Sequence, residues 1–205
     1  KPAEMVVDEI RNSGGDALAV KVDCSDDGEV GLLGIHPWMH RTIEALILNH
    51  GTYDRVPAQE MEMKHLRHTM KANFEGAVNV WKVVQPHLAP QANMVVVSSQ
   101  LATRGSPHGA DYAASKAALS TWARSLALAV GPEGKRVNVL APGYVDTDIL
   151  AGDSDEKRNQ RIQEVPLKRI GTGEDMASIV SFLLSNDAAY ITGSVLHANG
   201  GLYLP

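Results

Sequence analysis

The run Met94-Val95-Val96-Val97-Ser98-Ser99 and, thirteen residues beyond Ser99, the run Tyr112-Ala113-Ala114-Ser115-Lys116-Ala117-Ala118-Leu119 decide the fold. The first is short, apolar and β-branched, as a strand buried on both faces must be, and it opens directly onto two small polar residues. The second lies in a segment from Asp111 to Val130 whose apolar positions Leu119, Trp122, Leu126 and Val130 follow the helical period. A further β-branched run, Val137 to Leu140, closes at Pro142-Gly143. Strand, crossing helix and strand together make a βαβ unit, which predicts a parallel sheet.

The same alternation extends outward. Upstream, the pattern predicts a helix over Glu4 to Ser13 stopped by Gly14-Gly15, and a buried strand from Ala17 to Val22 ending at Asp23. It also predicts an irregular helix over Val30 to Glu44, a strand at Ala45 to Leu48 and a long helix from Met61 to Leu88. Downstream come a charged, mobile stretch from Asp153 to Glu164, a helix at Glu174 to Leu184 and a last strand at Ser194 to His197. No repeat, linker or low-complexity segment interrupts residues 1–205, so one domain is expected. The fold class is α/β, a doubly wound parallel sheet.

Composition excludes several function classes. The net charge of -5 and a pI near 5.9 argue against phosphate-mediated nucleic-acid binding. No basic run suits an anionic membrane surface, and the apolar stretches fall far short of the ~20 residues that span a bilayer. No signal-peptide plan opens the sequence. Cys24 is the sole cysteine, so no intrachain disulfide forms and a reducing, cytoplasmic setting is favoured. Among eight histidines only His36 and His40 stand four apart, and Pro37 breaks the helix between them. Capping or solvated roles are expected there, and no metal site.

Tyr112 and Lys116, spaced by four, share one helical face. An ammonium beside a phenol favours the phenolate, so the pair is expected to lower a pKa that starts near ~10 and make Tyr112 an acid/base near neutrality. Alone the pair is a weak signal that an exposed helical pair also satisfies. Ser99 adds context, because ligands of open parallel sheets bind at the carboxyl ends of strands, and a serine there can hold a substrate oxygen. Turn formation is the plainer reading of Ser98-Ser99.

With this spacing, Ser99, Tyr112 and Lys116 resemble the serine-tyrosine-lysine triad of the short-chain dehydrogenase/reductase family, a resemblance that extends over all 205 residues. Asn73, in Lys71-Ala72-Asn73-Phe74-Glu75-Gly76, is similar to the asparagine that completes the family's tetrad, which implies a role holding a water in a proton relay. The resemblance implies cofactor contacts at Asp23, Asn49, Gly51, Tyr112, Lys116, Pro142, Gly143, Val145 and Thr147. Asn49-His50-Gly51 departs from the usual Asn-Asn-Ala-Gly and looks like the variant of hydroxysteroid dehydrogenases, a hint of apolar substrates. Ile191-Thr192-Gly193 with Asn199-Gly200-Gly201 resembles the family's last strand and turn.

The implied function is hydride transfer between NAD or NADP and a carbonyl or secondary alcohol, with Tyr112 as general acid/base. Substrate contacts are expected at Gln100, Leu101, His108 and Tyr144, beside a mobile segment from Ile149 to Val165. A homodimer or homotetramer is implied, built on the two long helices. The family's opening strand, glycine-rich turn and second strand have no counterpart before Lys1-Pro2-Ala3-Glu4, so the natural chain is expected to be longer. The choice between the two cofactors, normally read in that segment, is not legible. Without neighbours, Ala17 to Val22 should lack a pairing partner and one apolar face should stay open. The alternatives are a non-catalytic Rossmann-like binding or regulatory protein that has lost its cofactor, and a member carrying out dehydration or epimerisation.

Overall fold

A computed structural model describes residues 2–205; Lys1 lies outside them. Four parallel strands, β1 (Ile43–Leu48), β2 (Leu88–Val97), β3 (Arg136–Pro142) and β4 (Val195–Ala198), form one sheet in the order β1-β2-β3-β4. The register sets Leu48 beside Val96, Val97 beside Leu140 and Pro142 beside Ala198, so the carboxyl ends form one rim.

Helices cover both faces. On one, α4 (Gly76–Val84) and α6 (Ala110–Val130) set Ala77, Trp81, Leu119, Ala123 and Ala127 against Leu48, Met94, Val96, Val137 and Val139. On the other, α8 (Gly173–Leu184) packs Leu183, Met176, Ile179 and Val180 against Val95 and Leu140. Burial on both sides is why β2 and β3 read as unbroken apolar runs. Two further contacts seat α6: Ser98 Oγ donates to the Lys116 carbonyl at 2.9 Å and lies 2.7 Å from Ser120 Oγ. Ser98 is therefore an anchor for the helix and not merely a turn former.

The remaining helices are α1 (Ala3–Asn12), α2 (Asp27–Gly34), α3 (Met63–Met70), α5 (Leu101–Arg104) and α7 (Asp155–Glu164). Several sequence expectations need correction. Residues Ala17 to Val22 form no strand: an extended segment needs a ladder partner, and Leu18 and Val20 stay 42% and 48% exposed. The helix expected over Val30 to Glu44 ends at Gly34, followed by a short 3-10 turn over Pro37–His40 and then β1. The helix expected to reach Leu88 ends at Val84, and Leu88 already pairs with Ile43. Its middle opens into a π turn, Lys71–Glu75. The stretch from Asp153 to Glu164 is helical beyond Ser154, whose side chain caps it by accepting from Lys157 N. His36 has the expected capping role, accepting from Trp38 N at 3.3 Å.

β1 has no partner on its outer side among the described residues, and Ile47, on its α8 face, is 47% exposed.

Candidate active site

A cavity of about 740 Å³ runs along the rim formed by β1, β2 and β3. That size suits a small-molecule ligand. Ser99, Tyr112 and Lys116 all line it, with Asn49 and Gly51 from the turn after β1 and Pro142, Gly143, Val145 and Thr147 from the loop after β3. Gln100, Leu101 and Tyr144 line it as well.

Each reactive side chain is held by a traceable contact. Ser99 follows β2, and its Oγ accepts from the Leu101 N–H at 3.2 Å. Lys116, one turn along α6 from Tyr112, is 3% exposed and donates to the Val97 carbonyl at 2.9 Å. An ammonium has three donors, so two remain after this bond. Gly51 passes so close that a Cβ there would stand 3.0 Å from Asn73 Oδ1 and 3.2 Å from Lys116 Nζ.

Asn73 is fully buried behind Gly51 at the centre of the π turn. Its Oδ1 accepts from Thr52 N at 2.7 Å, and its Nδ2 donates to the Thr52 carbonyl at 3.0 Å and to Ser115 Oγ at 2.9 Å. Ser115 Oγ in turn donates to the Tyr112 carbonyl at 2.8 Å. The side chain thus ties the turn after β1 to α6. Both N–H donors of its amide are spent, which leaves the second lone pair of Oδ1 and the backbone carbonyl, in a helix segment whose ladder the π turn loosens, to accept from any water it helps to hold.

The electrostatics differ from the expectation that Lys116 would acidify Tyr112. Burial pushes the phenol up to about 12, against the lowering effect of the Ser99 hydroxyl. Burial likewise brings the Lys116 ammonium down to about 8. The ammonium lies 5.8 Å from the Tyr112 ring centroid and is bonded to Val97, so desolvation outweighs its attraction. His50 carries a buried Nε2 without a partner, and burial, with Lys116 nearby, lowers its pKa.

Three expected residues do not line the cavity: Asn73, sealed behind Gly51, and also Asp23 and His108. Asp23 is exposed, its carboxylate accepting from Ser25 N at 2.9 Å. The His108 side chain is exposed, and only its carbonyl reaches inward, to the Tyr53 hydroxyl at 2.6 Å. In their place stand residues with no sequence signal of their own, Tyr53, Arg55, Arg161 and the α8 residues Met176, Ala177 and Val180. The segment expected to be mobile contributes Ile149 and Leu150, and it is latched. The Asp153 side chain, 3% exposed, pairs with Arg55 at 3.0 Å and Arg161 at 2.5 Å, and Arg55 also donates to the Ile149 carbonyl at 3.0 Å.

A doubly wound parallel sheet with its cleft at the carboxyl ends of the strands defines a Rossmann-like protein. The chain belongs to the short-chain dehydrogenase/reductase family. A family model described as enoyl-(acyl carrier protein) reductase matches residues 1–203. The chain is similar to a 3-oxoacyl-[acyl-carrier-protein] reductase, FabG, of Staphylococcus aureus, 31% identical over 98% of this chain and 83% of the relative. The FabG of Chlamydia muridarum is 36% identical over 78% of this chain and 66% of its own length. A crystal structure of a glucose/ribitol dehydrogenase from Brucella melitensis superposes with a TM-score of 0.89 at 27% identity, covering 99% of this chain and 84% of that one. The relatives make this an oxidoreductase, and the family's proteins use NAD(P)H.

The described residues fit the nicotinamide end of such a cofactor. Lys116 lines the cavity beside Gly51, which brings no side chain against the ammonium, and its two uncommitted donors suit the hydroxyls of a ribose. No strand, glycine turn and helix for a pyrophosphate stand among them. No helix among them is long and apolar enough to cross a membrane.

Proposed function

We propose that the protein reduces a carbonyl compound, or oxidises the corresponding secondary alcohol, using NAD or NADP, with Tyr112 as general acid/base. The observation that carries this reading is the convergence of Ser99, Tyr112 and Lys116 on one cavity at the carboxyl ends of the strands. The bound cofactor supplies or accepts the hydride.

In the reducing direction the Ser99 hydroxyl orients the substrate oxygen. The Tyr112 hydroxyl, protonated at every physiological pH, gives its proton to that oxygen as negative charge develops. Lys116 holds the cofactor ribose through its two free donors and brings positive charge toward the phenolate left behind. Asn73 keeps Gly51 and α6 in register, and with them the distance between Lys116 and Tyr112. Asn49, Gly51, Pro142, Gly143, Val145 and Thr147 line the cofactor's side of the cavity; Gln100, Leu101 and Tyr144 line the substrate's side. Relatives named for 3-oxoacyl reduction support a carbonyl as the bond reduced. Pairing of the long helices into a homodimer or homotetramer, and a cytoplasmic setting, complete the proposal.

The test is Tyr112→Phe. Carbonyl reduction should fall at least a thousandfold while the fluorescence titration with NADH or NADPH stays close to wild type. Persistent reduction in this variant overturns the acid/base assignment. Absence of cofactor binding in the wild-type protein overturns the whole reading and favours the non-catalytic alternative.

A further inference from the structure

The charged residues that line the cavity are Arg55, Lys116 and Arg161, with no Asp or Glu beside them, in a chain whose net charge is -5. Lys116 serves the proposed cofactor, which leaves the two arginines to explain. Both stand on the substrate's side. Arg55 donates to the Ile149 carbonyl at 3.0 Å, and the Arg161 guanidinium lies 4.4 Å from the centroid of the Tyr144 ring. They share one carboxylate: Asp153 accepts from Arg55 on Oδ1 at 3.0 Å and from Arg161 on Oδ2 at 2.5 Å. Asp153 and Arg161 belong to the same segment, so the tie from that segment to the rest of the chain is Arg55. One anion between two guanidiniums leaves a positive charge over. The Arg161 side chain is 12% exposed, so little water is at hand to offset that charge. Donors are left over as well. Arg55 commits two N–H groups, to Asp153 and Ile149, and Arg161 commits two, both to Asp153, so three of the five in each guanidinium remain.

We infer that Arg55 and Arg161 seat a carboxylate on the substrate, so that the compound reduced is a free oxo acid and the product a hydroxy acid. The inference rests on the reading of Ser99 and Tyr112 as the groups that hold the reacting oxygen. A guanidinium presents a planar fork of donors that matches a carboxylate oxygen for oxygen. The two arginines already hold one carboxylate in this way, each on a different oxygen. Asp153 stays in place, and the incoming carboxylate supplies the second negative charge through the donors that Asp153 leaves unused. An ester of the same acid carries no charge and leaves the cationic excess unpaired, so the site discriminates against it. The carboxylate is a handle and takes no part in the step. Hydride from the reduced cofactor adds to the ketone carbon, the proton of Tyr112 goes to its oxygen, and the cofactor leaves oxidised.

The experiment compares acetoacetate with ethyl acetoacetate, and levulinate with ethyl levulinate, using the reduced cofactor that binds. In at least one pair the wild-type protein should favour the acid about tenfold or more in kcat/KM. Arg55→Gln and Arg161→Gln should each bring that ratio to within about threefold of one, through a higher KM for the acid, with the cofactor dissociation constant unchanged. Arg55, the more exposed of the two, carries the test should Arg161→Gln fail to fold. Asp153→Asn separates recognition from fastening. It opens the same latch yet frees both guanidiniums, so the preference for the acid should hold or grow. A ratio that falls in Asp153→Asn as it does in the arginine variants makes the arginines fasteners only and overturns the proposal. So does a wild-type ratio near one in both pairs, or a ratio that survives both arginine variants. Weakened cofactor binding with the ratio intact assigns the arginines to the cofactor's phosphates, with the same consequence. Reduction of the esters alone removes this proposal and leaves hydride transfer standing. Failure to reduce any of the compounds, with cofactor bound, removes the hydride-transfer reading and this proposal with it.

Discussion

The ring of Tyr53 lies with its centroid 4.6 Å from that of Tyr112, tilted by 42°, and its hydroxyl donates to the His108 carbonyl at 2.6 Å. Gly109 makes this possible. It adopts φ +123°, and a Cβ there would stand 2.3 Å from the Tyr53 ring. A second bond, from Ala58 N to the Pro107 carbonyl at 2.9 Å, fastens the same two segments. Tyr53 thus positions the start of α6 and the ring that the proposed chemistry uses. An aromatic pair contributes ~1 kcal/mol beyond its area. Tyr53→Leu should lower kcat about fivefold, with Tyr53→Phe between it and wild type. Steady-state kinetics at saturating cofactor check this, and an unchanged kcat in the leucine variant removes the positioning role.

Lys116 carries a stability cost that its proposed role at the cofactor would explain. Its pKa is about 8 in the folded chain against 10.5 when solvated, so folding is penalised below pH 8, where both states are charged. The penalty fades between about 8 and 10.5 and is gone above. It is on the order of 3 kcal/mol, at ~1.4 kcal/mol per pH unit, offset by ~1 kcal/mol from the bond to Val97. Lys116→Met should therefore be inactive yet about 2 kcal/mol more stable at pH 7, with the gain shrinking by pH 10. Urea denaturation at the two pH values measures it. A variant less stable at pH 7 shows that the ammonium is a structural asset.

The latch over the cavity makes an opposite prediction with pH. Hydrogen bonding to Arg161, and then to Arg55, holds the Asp153 carboxyl below the ordinary carboxylate range. Its contribution is present at neutral pH, persists through mild acid and is lost only as pH falls through the depressed value. Asp153→Asn removes the charge at every pH and should cost about 1–3 kcal/mol. It should also speed cleavage of residues 148–164 in limited proteolysis, whereas wild type is cut at a constant slow rate from neutral to mildly acidic pH. Equal cleavage rates in the two proteins mean that Arg55 and Arg161 do not fasten this segment.

What the sequence revealed and what it hid follow from the range of the interactions. The strand at Met94 to Val97 and the helix at Asp111 to Val130 were legible because burial imposes a local period. Ala17 to Val22 has strand composition, but pairing is a property of neighbours, and it has none among the described residues. The helix of α7 carried its own signal, Ser154 before Asp155-Glu156, obscured by its high charge. The π turn at Asn73 and the early start of β2 depend on tertiary packing. Ser99, Tyr112 and Lys116 were readable because one strand and one helix fix their spacing. Tyr53 and Arg55 reach the cavity through a loop whose course no periodicity encodes.

Gly51 tests whether the junction between the turn after β1 and α6 is as tight as it looks. A methyl group there meets Asn73 Oδ1 at 3.0 Å and Lys116 Nζ at 3.2 Å. The two neighbours differ in their freedom to move. Asn73 is pinned by Thr52 and Ser115, so displacing it breaks hydrogen bonds in a sealed site. Lys116 has one bond and a long stem, so it yields first. Gly51→Ala should then leave the melting temperature within a few degrees of wild type while raising the cofactor dissociation constant about tenfold, since the ammonium is the group moved. A small stability change with unaltered cofactor affinity means the methyl is accommodated elsewhere. A loss beyond about 3 kcal/mol means that Asn73, not Lys116, gave way.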